Sequence, residues 1–313
     1  MIDDIKLYIC FDKINSKIGN SILMQQPCRE AESFKSWHGK LNLVYSHSQN
    51  KTRLIQSQNQ APLKVQRPFY PEGESVCHSV ILHTAGGIVG GDRLSSNIQL
   101  QPHAKALITT AAANKIYRSN GLQARQNIDI KIDNHACLEW LPQETIVFNS
   151  ANFRQDIRIE LASDASFIGW EITRFGRTAS CEKFVEGEWR SHFEIWQNNK
   201  PLWIDRQYLP GSEEIFNSPH GLGGKPIVGT LVYLGQAVSP EIVQQARNLI
   251  PPSPPLPLPP SSSNGVTRIE NGLLCRYRGD STTEVRNWFI SVWQLLRISF
   301  LNRSSCLPRV WML

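Results

Sequence analysis

Short alternating runs of apolar and polar residues dominate the chain. Residues 41–47 read LNLVYSH and put Leu41, Leu43 and Tyr45 on one face, as a half-buried strand requires. Residues 77–84 (CHSVILHT) form another strand, and more are predicted at 97–101, 105–110, 126–133, 136–141, 144–148, 154–161, 166–174, 187–196, 201–208 and 227–234. Within them the spacing I-x-[IL]-x-x-x-A recurs at Ile98, Leu100 and Ala104, at Ile130, Ile132 and Ala136, and at Ile159, Leu161 and Ala165. The copies follow at roughly thirty residues, a length at which one supersecondary unit stacks on the next. In each copy the alternating pair faces inward, a short turn follows (QPH, DNH or ASD), and the alanine opens a second strand. The pattern predicts a mainly β fold of stacked antiparallel sheets, between a β-sandwich and an irregular β-helix.

Helical periodicity is confined to the last third. Ser239 is a suitable N-cap, Pro240 fits the first helical position, and Ile242, Val243, Ala246, Leu249 and Ile250 share a face. Val285, Trp288, Phe289, Val292, Trp293, Leu295 and Leu296 recur at helical spacing over 282–301, a broad apolar face for the core or for a partner. Four segments are expected: an extension over 1–35, a β-rich domain over 36–250, a Pro/Ser-rich insertion over 251–265, and a C-terminal strand and helix segment over 266–313 that completes the same domain. The insertion, PPSPPLPLPPSSSNG, favours polyproline II and acts as a spacer.

Composition narrows the classes. With 41% hydrophobic and 19% charged residues the chain has a folded, soluble profile, and no apolar run reaches membrane-spanning length. The N-terminus lacks a signal-peptide h-region, so a cytoplasmic location is expected. The net charge is +6 and the pI about 9.0, but the basic residues are scattered, which favours acidic protein partners over nucleic acid. The seven cysteines (Cys10, Cys28, Cys77, Cys137, Cys181, Cys275 and Cys306) are odd in number and dispersed, and read as reduced thiols.

The most distinctive segment is HTAGGIVGGDRL, residues 83–94, in which Gly86, Gly87, Gly90 and Gly91 flank Ile88 and Val89. It lacks the Lys-Ser/Thr of a phosphate loop and the spacing of a dinucleotide fingerprint, so its glycines serve backbone geometry. Nucleophile-elbow and H-E-x-x-H patterns are absent as well. Glu139 and Glu144 could form a glycosidase-like pair only if the break at Leu141-Pro142 brought them together, and TrpLeuPro there reads as packing.

HTAGGIVGGDRL, preceded by APLKVQRPFYPEG (61–73), resembles the signature of the UreD (UreH) family of urease accessory proteins. ALITTAAANKIYRS (106–119), LEWLPQETIVF (138–148), WEITRFGRTASCEKF (170–184) and the terminal PRVW (308–311) resemble the same family, in the same order, from about Ser36 onward. Two departures stand out: the Pro-rich stretch, and Cys181-Glu182 where the family often has Gly-Glu.

The resemblance implies a mainly β protein with two helices and no catalytic activity. It implies a scaffold that binds the helical UreF, recruits the GTPase UreG and docks on apo-urease, with no nucleic acid or membrane partner. It also implies that nickel(II) travels through an internal passage and is not held as a tightly bound cofactor. Such a passage needs weak, intermittent oxygen, imidazole or carbonyl ligands. The candidates in the matching motifs are Asp92, Glu139, Glu144, Glu171 and Glu182, with His83 and Cys77 on one face of their strand and His78 on the other. Asp92 and Glu171 rank first. His38, His47, His103, His135, His192 and His220 stand singly and read as structural or exposed. Trp288, Trp293, Arg309 and Trp311 either form an aromatic-Arg interface with UreF or close the β core. Outside the family, the alternatives are a β-helical carbohydrate-active enzyme with paired carboxylates and a basic nucleic-acid-binding β protein.

Overall fold

The computed structural model describes residues 36–250 and 262–311. The expected extension over 1–35 and the Pro-rich residues 251–261 lie outside the described residues. Ser262–Gly265, which the sequence places in the insertion, belong instead to a strand.

The chain opens with β1 (His38–Ser48), β2 (Lys51–Gln60), β3 (Leu63–Val65) and β4 (Cys77–His83). Strands β5 (Arg93–Leu100), β6 (Lys105–Thr110), β7 (Asn114–Ile116), β8 (Ala124–Ile132), β9 (Cys137–Trp140), β10 (Thr145–Val147), β11 (Ala151–Leu161) and β12 (Ser166–Phe175) follow as successive coils. Beyond them come β13 (Gly187–Gln197), β14 (Lys200–Pro210), α1 (Glu213–Asn217), β15 (Ile227–Leu234) and α2 (Pro240–Asn248). The described chain closes with β16 (Ser262–Ile269), β17 (Gly272–Gly279) and α3 (Thr282–Leu301). One sheet has seven strands in the order β14-β13-β11-β8-β5-β1-β2; the other has ten, with β16-β17-β15-β12-β9-β6-β4-β3 as its path, β10 beside β12 and β7 beside β10.

The thirty-residue repeat is the coil of this fold. Ile98, Ile130 and Ile159 lie side by side in register, as do Leu100, Ile132 and Leu161. The turns after them stack too: His103 N–H donates to Asn134 O at 3.0 Å, Cys137 N–H to Ala104 O at 2.9 Å, and Ser166 N–H to Ala136 O at 3.0 Å. His103 and His135 adopt left-handed backbone (φ 63° and 57°), and the chain then crosses to the opposite sheet. Ala104, Ala136 and Ala165 are buried where it crosses.

Mainly-β stacking with helices near the C-terminus is what the sequence predicts, but the strand direction differs. The coil strands β1-β5-β8-β11-β13 and β4-β6-β9-β12 pair in parallel. Antiparallel pairs lie at the flanks, at β1-β2, β3-β4, β13-β14 and β12-β15-β17-β16. The physical reason is the turn after each repeat. It joins strands of different sheets, so copies thirty residues apart run the same way.

Two apolar layers result. Leu43, Ile98, Ile130, Ile159, Phe167 and their neighbours fill the space between the sheets. Ile168, Trp170, Leu231, Tyr233 and Cys275 on the outer face of the larger sheet pack against Val243 and Ala246 of α2 and against Val285, Trp288, Phe289, Val292, Trp293 and Leu296 of α3. Ser239 and Ser281 cap these helices through Ile242 N–H and Glu284 N–H. Trp288 and Trp293 are 1% and 0% exposed. These tryptophans close the β core, and the partner-interface expectation is corrected for both: α3 turns its aromatic face to the sheet because that is where apolar area leaves water. Arg309 is exposed, and Trp311 packs beside Trp170 and Trp293 while donating Nε1–H to Thr109 at 3.0 Å.

The glycine-rich segment is a tight loop between β4 and β5. A Cβ on Gly87 would stand 2.3 Å from the Tyr117 ring and 2.8 Å from Lys115 O, and Gly91 has φ +93°. Gly87→Ala is expected to lower stability by about 1–3 kcal/mol in chemical denaturation, since a backbone carbonyl cannot swing aside as a side chain can.

Candidate functional site

Toward the glycine-loop end, the space between the sheets changes character. Inward positions that are Ile or Leu lower down become polar: Gln126 on β8 pairs across to Gln155 on β11, and Gln155 to Ser191 on β13. One step inward Ser96 stands beside Ile128. The residues enclose a cavity of about 310 Å³, whose lining includes His83, Ser96, Gln126, Gln155 and Glu171. This volume far exceeds the room a single water needs, and its polar groups suit water or a hydrated ion.

Glu171 enters the cavity from β12. Its carboxylate accepts hydrogen bonds from Gln155 Nε2 and from Ser191 Oγ at 3.3 Å. Nearby, Arg276 Nη1 spans from β17 to Asp205 on β14 at 2.6 Å and to Thr230 Oγ1 at 2.7 Å, which ties the two sheets together. Glu171 keeps intermediate exposure because it lines the cavity. Burial is nonetheless the main cause that lifts its pKa to about 7; Asp205 adds to the rise, and Ser191, Gln155 and Arg276 oppose it. His83 has both ring nitrogens buried without a hydrogen-bond partner. Burial lowers its pKa, against the pull of Asp92, so the imidazole is neutral and its lone pair is available.

The other expected transit residues are engaged elsewhere. Asp92 is fully buried and accepts from Trp37 N–H at 2.8 Å and Val89 N–H at 3.0 Å, so it fastens the glycine loop. Glu144 pairs with Arg286 of α3, and Glu182 with Arg177 while also accepting from Asn149 N–H at 3.0 Å. Cys77 is buried beneath β1, where burial pushes its thiol pKa up and away from the metal-binding thiolate.

Glu139 sits on the other side of the larger sheet, beneath α3. It accepts from Trp293 Nε1 at 2.6 Å, from Arg303 Nη2 at 3.0 Å and from Arg297 Nη2 at 3.4 Å, and Arg297 Nε stands 3.1 Å away as an ion pair. Arg297 also donates to Glu72 at 2.6 Å and to Ser304 O at 2.7 Å. Glu72 in turn shares a 2.6 Å hydrogen bond with His78 Nε2. Burial alone would raise the Glu72 pKa, but His78 and Arg297 together hold it below the ordinary carboxylate range. Glu139 and Glu144 are therefore tied to separate arginines, and neither is free to act as half of a glycosidase pair.

Among the described residues, no three His, Cys, Asp or Glu side chains converge as a fixed metal site, and no helix is long and apolar enough to cross a membrane. Sequence reasoning missed Gln126, Gln155, Ser191 and Ser96. Their signal was a polar residue at an in-phase inward position of an otherwise aliphatic strand.

A family model described as UreD urease accessory protein matches residues 38–312. The chain belongs to the UreD family. Among curated UreD relatives, the urease accessory protein of Nostoc punctiforme is 69% identical over 277 residues, covering 88% of this chain and 96% of that protein. Those of Trichormus variabilis and Acaryochloris marina are 68% and 54% identical, covering 90% and 92% of this chain and 98% and 99% of theirs. The motifs that resemble UreD converge in space. HTAGGIVGGDRL, ALITTAAANKIYRS, LEWLPQETIVF and WEITRFGRTASCEKF each contribute to the cavity wall.

Proposed function

We propose that this UreD-family chain is a non-catalytic scaffold in the cytoplasm that joins UreF and UreG on apo-urease and passes nickel(II) through its interior. The observation that supports the passage is the cavity between the sheets, whose largely apolar wall carries a small set of polar groups. A mobile divalent cation there meets one carboxylate (Glu171), one neutral imidazole (His83) and amide or hydroxyl oxygens from Gln126, Gln155 and Ser96. That set is sparse enough to release its cargo, which a closed multi-ligand site is not. A Glu171 pKa of about 7 keeps proton and metal in competition for the same oxygens near neutral pH. Asp92, with both oxygens on backbone amides, supports the loop that forms one wall.

Coexpression of the Glu171→Ala or His83→Ala variant with UreF, UreG and apo-urease is expected to lower the nickel content of urease several-fold while UreF still co-purifies. Normal nickel content in both variants would defeat the passage. For the partner surface, the reading now rests on exposed Arg309, since Trp288 and Trp293 lie inside.

A further inference from the structure

The parallel coil makes a second arrangement at the opposite end of the strands. The residue before each repeat alanine is His103, His135 and Asp164 in successive turns, and backbone hydrogen bonding holds the first two turns against each other. The His103 and His135 rings are stacked with centroids 4.8 Å apart and planes 23° from parallel. His47, from β1, approaches within 6.4 Å of the His103 ring. Asp164 Oδ2 lies 3.0 Å from His135 Nδ1. The basin they form, about 500 Å³, is lined also by Asn50, Ser75 and Lys105.

We propose that this turn ladder binds one divalent cation of the late first-row type, such as Ni²⁺ or Zn²⁺, through His103 and His135. Three features point to it. Imidazole is the side chain that these borderline cations prefer. Asp164 accepts from the His135 backbone N–H at 3.2 Å and sets its other carboxylate oxygen 3.0 Å from His135 Nδ1, the placement of a carboxylate behind a metal-binding imidazole. His47 lines the same basin with its ring 6.4 Å from that of His103, within reach as a third ligand. His103 and His135 are exposed, so a rotation about their side-chain bonds suffices to bring the nitrogens together. Among the described residues no three such groups already converge, so His103 and His135 bind with water completing the shell. The Lys105 ammonium lines the same basin and opposes the cation, which keeps binding exchangeable.

This site does not depend on the interior passage, and its test avoids urease altogether. Titration calorimetry of the full chain with Ni²⁺ or Zn²⁺ alone compares the parent with a His103→Asn/His135→Asn variant. Asparagine tolerates the left-handed backbone at both turns, so the ladder of coils is preserved. The parent and a His220→Asn control, altered at an exposed histidine outside the ladder, are expected to take up about one more equivalent than the double variant. X-ray absorption of the Ni²⁺-loaded parent should show imidazole scattering that the double variant lacks. Asp164→Asn should keep the stoichiometry but weaken affinity roughly 10-fold, because it loosens His135 without removing it. Equal uptake by parent and double variant, or an equal loss in the His220→Asn control, overturns the proposal. The comparison of parent with double variant is read without urease or its nickel content, which separates failure of this site from failure of the passage.

Discussion

Arg297→Ala is expected to destabilise the fold by about 3–5 kcal/mol, the range for removing one partner from a buried ion network. The Arg297 side chain is 0% exposed and stands between Glu72 and Glu139, whose side chains are 12% and 1% exposed. Its loss leaves two buried carboxylates with Arg303 as their shared guanidinium. It also frees the carbonyl of Ser304, so the segment after α3 loses its tie to the helix. Combining Glu139→Gln with Arg297→Met restores the charge balance as Glu72 with Arg303. The double variant should therefore be less destabilised than the sum of its single changes. Urea denaturation of the purified variants measures both quantities. A loss below about 1 kcal/mol for Arg297→Ala would mean that the network is hydrated and contributes little.

The second large effect concerns Glu171 and has a defined pH sign. Its pKa rises from 4.5 in the unfolded chain to about 7 in the fold, so folding favours the protonated carboxyl. The associated stability is complete below pH 4.5 and is lost as pH rises through about 7. Glu171→Gln stays neutral throughout and removes that dependence. The variant should match the parent near pH 4.5 and exceed it at pH 8 by on the order of 3–4 kcal/mol, from the shift at about 1.4 kcal/mol per unit. Thermal denaturation across this range tests it. A parent that equals or exceeds the variant at pH 8 would show that Arg276 neutralises the carboxylate fully. A residue held against the stability of the fold at neutral pH fits the passage role better than a packing role.

Much of the architecture is legible in the sequence because the period of two and the thirty-residue repeat are both written in side chains. Ile98, Ile130 and Ile159 are neighbours in space as they are counterparts in the pattern. The strands that escape detection are β2, β3 and β7, and the one strand expected over 266–313 is the pair β16-β17. In β2 (KTRLIQSQNQ) most residues beyond Leu54 are exposed polar groups, because an edge strand packs little and so carries little apolar alternation. Strand direction escapes as well, since alternation looks the same in parallel and antiparallel ladders. The helix over 282–301 is legible from its spacing, but which face meets a partner is not. Arg297 falls four residues after Trp293 on the apolar face, where a charge requires a buried counter-ion. Its counterparts Glu72 and Glu139 are remote in sequence, so Glu139 reads as a free carboxylate until the fold is known. For Glu171 the reverse holds: the motif points to it, while the cavity around it depends on Gln126 and Gln155 from separate coils.

The ladder of parallel coils also governs how such a chain reaches its native state. Neighbouring strands within each sheet are separated by a whole coil, so no local hairpin nucleates the centre of either one. Among the described residues only the flanks, β1-β2, β3-β4, β13-β14 and β16-β17, join strands that follow directly in sequence. As the ribosome releases each coil, it leaves a raw row of amides and carbonyls at its rim until the next coil settles on it. Assembly is therefore slow and vectorial, and its intermediates are exposed to self-association. The late arrival of β13-β14 and α3, which seal the rim and the outer face, marks the moment when that hazard ends.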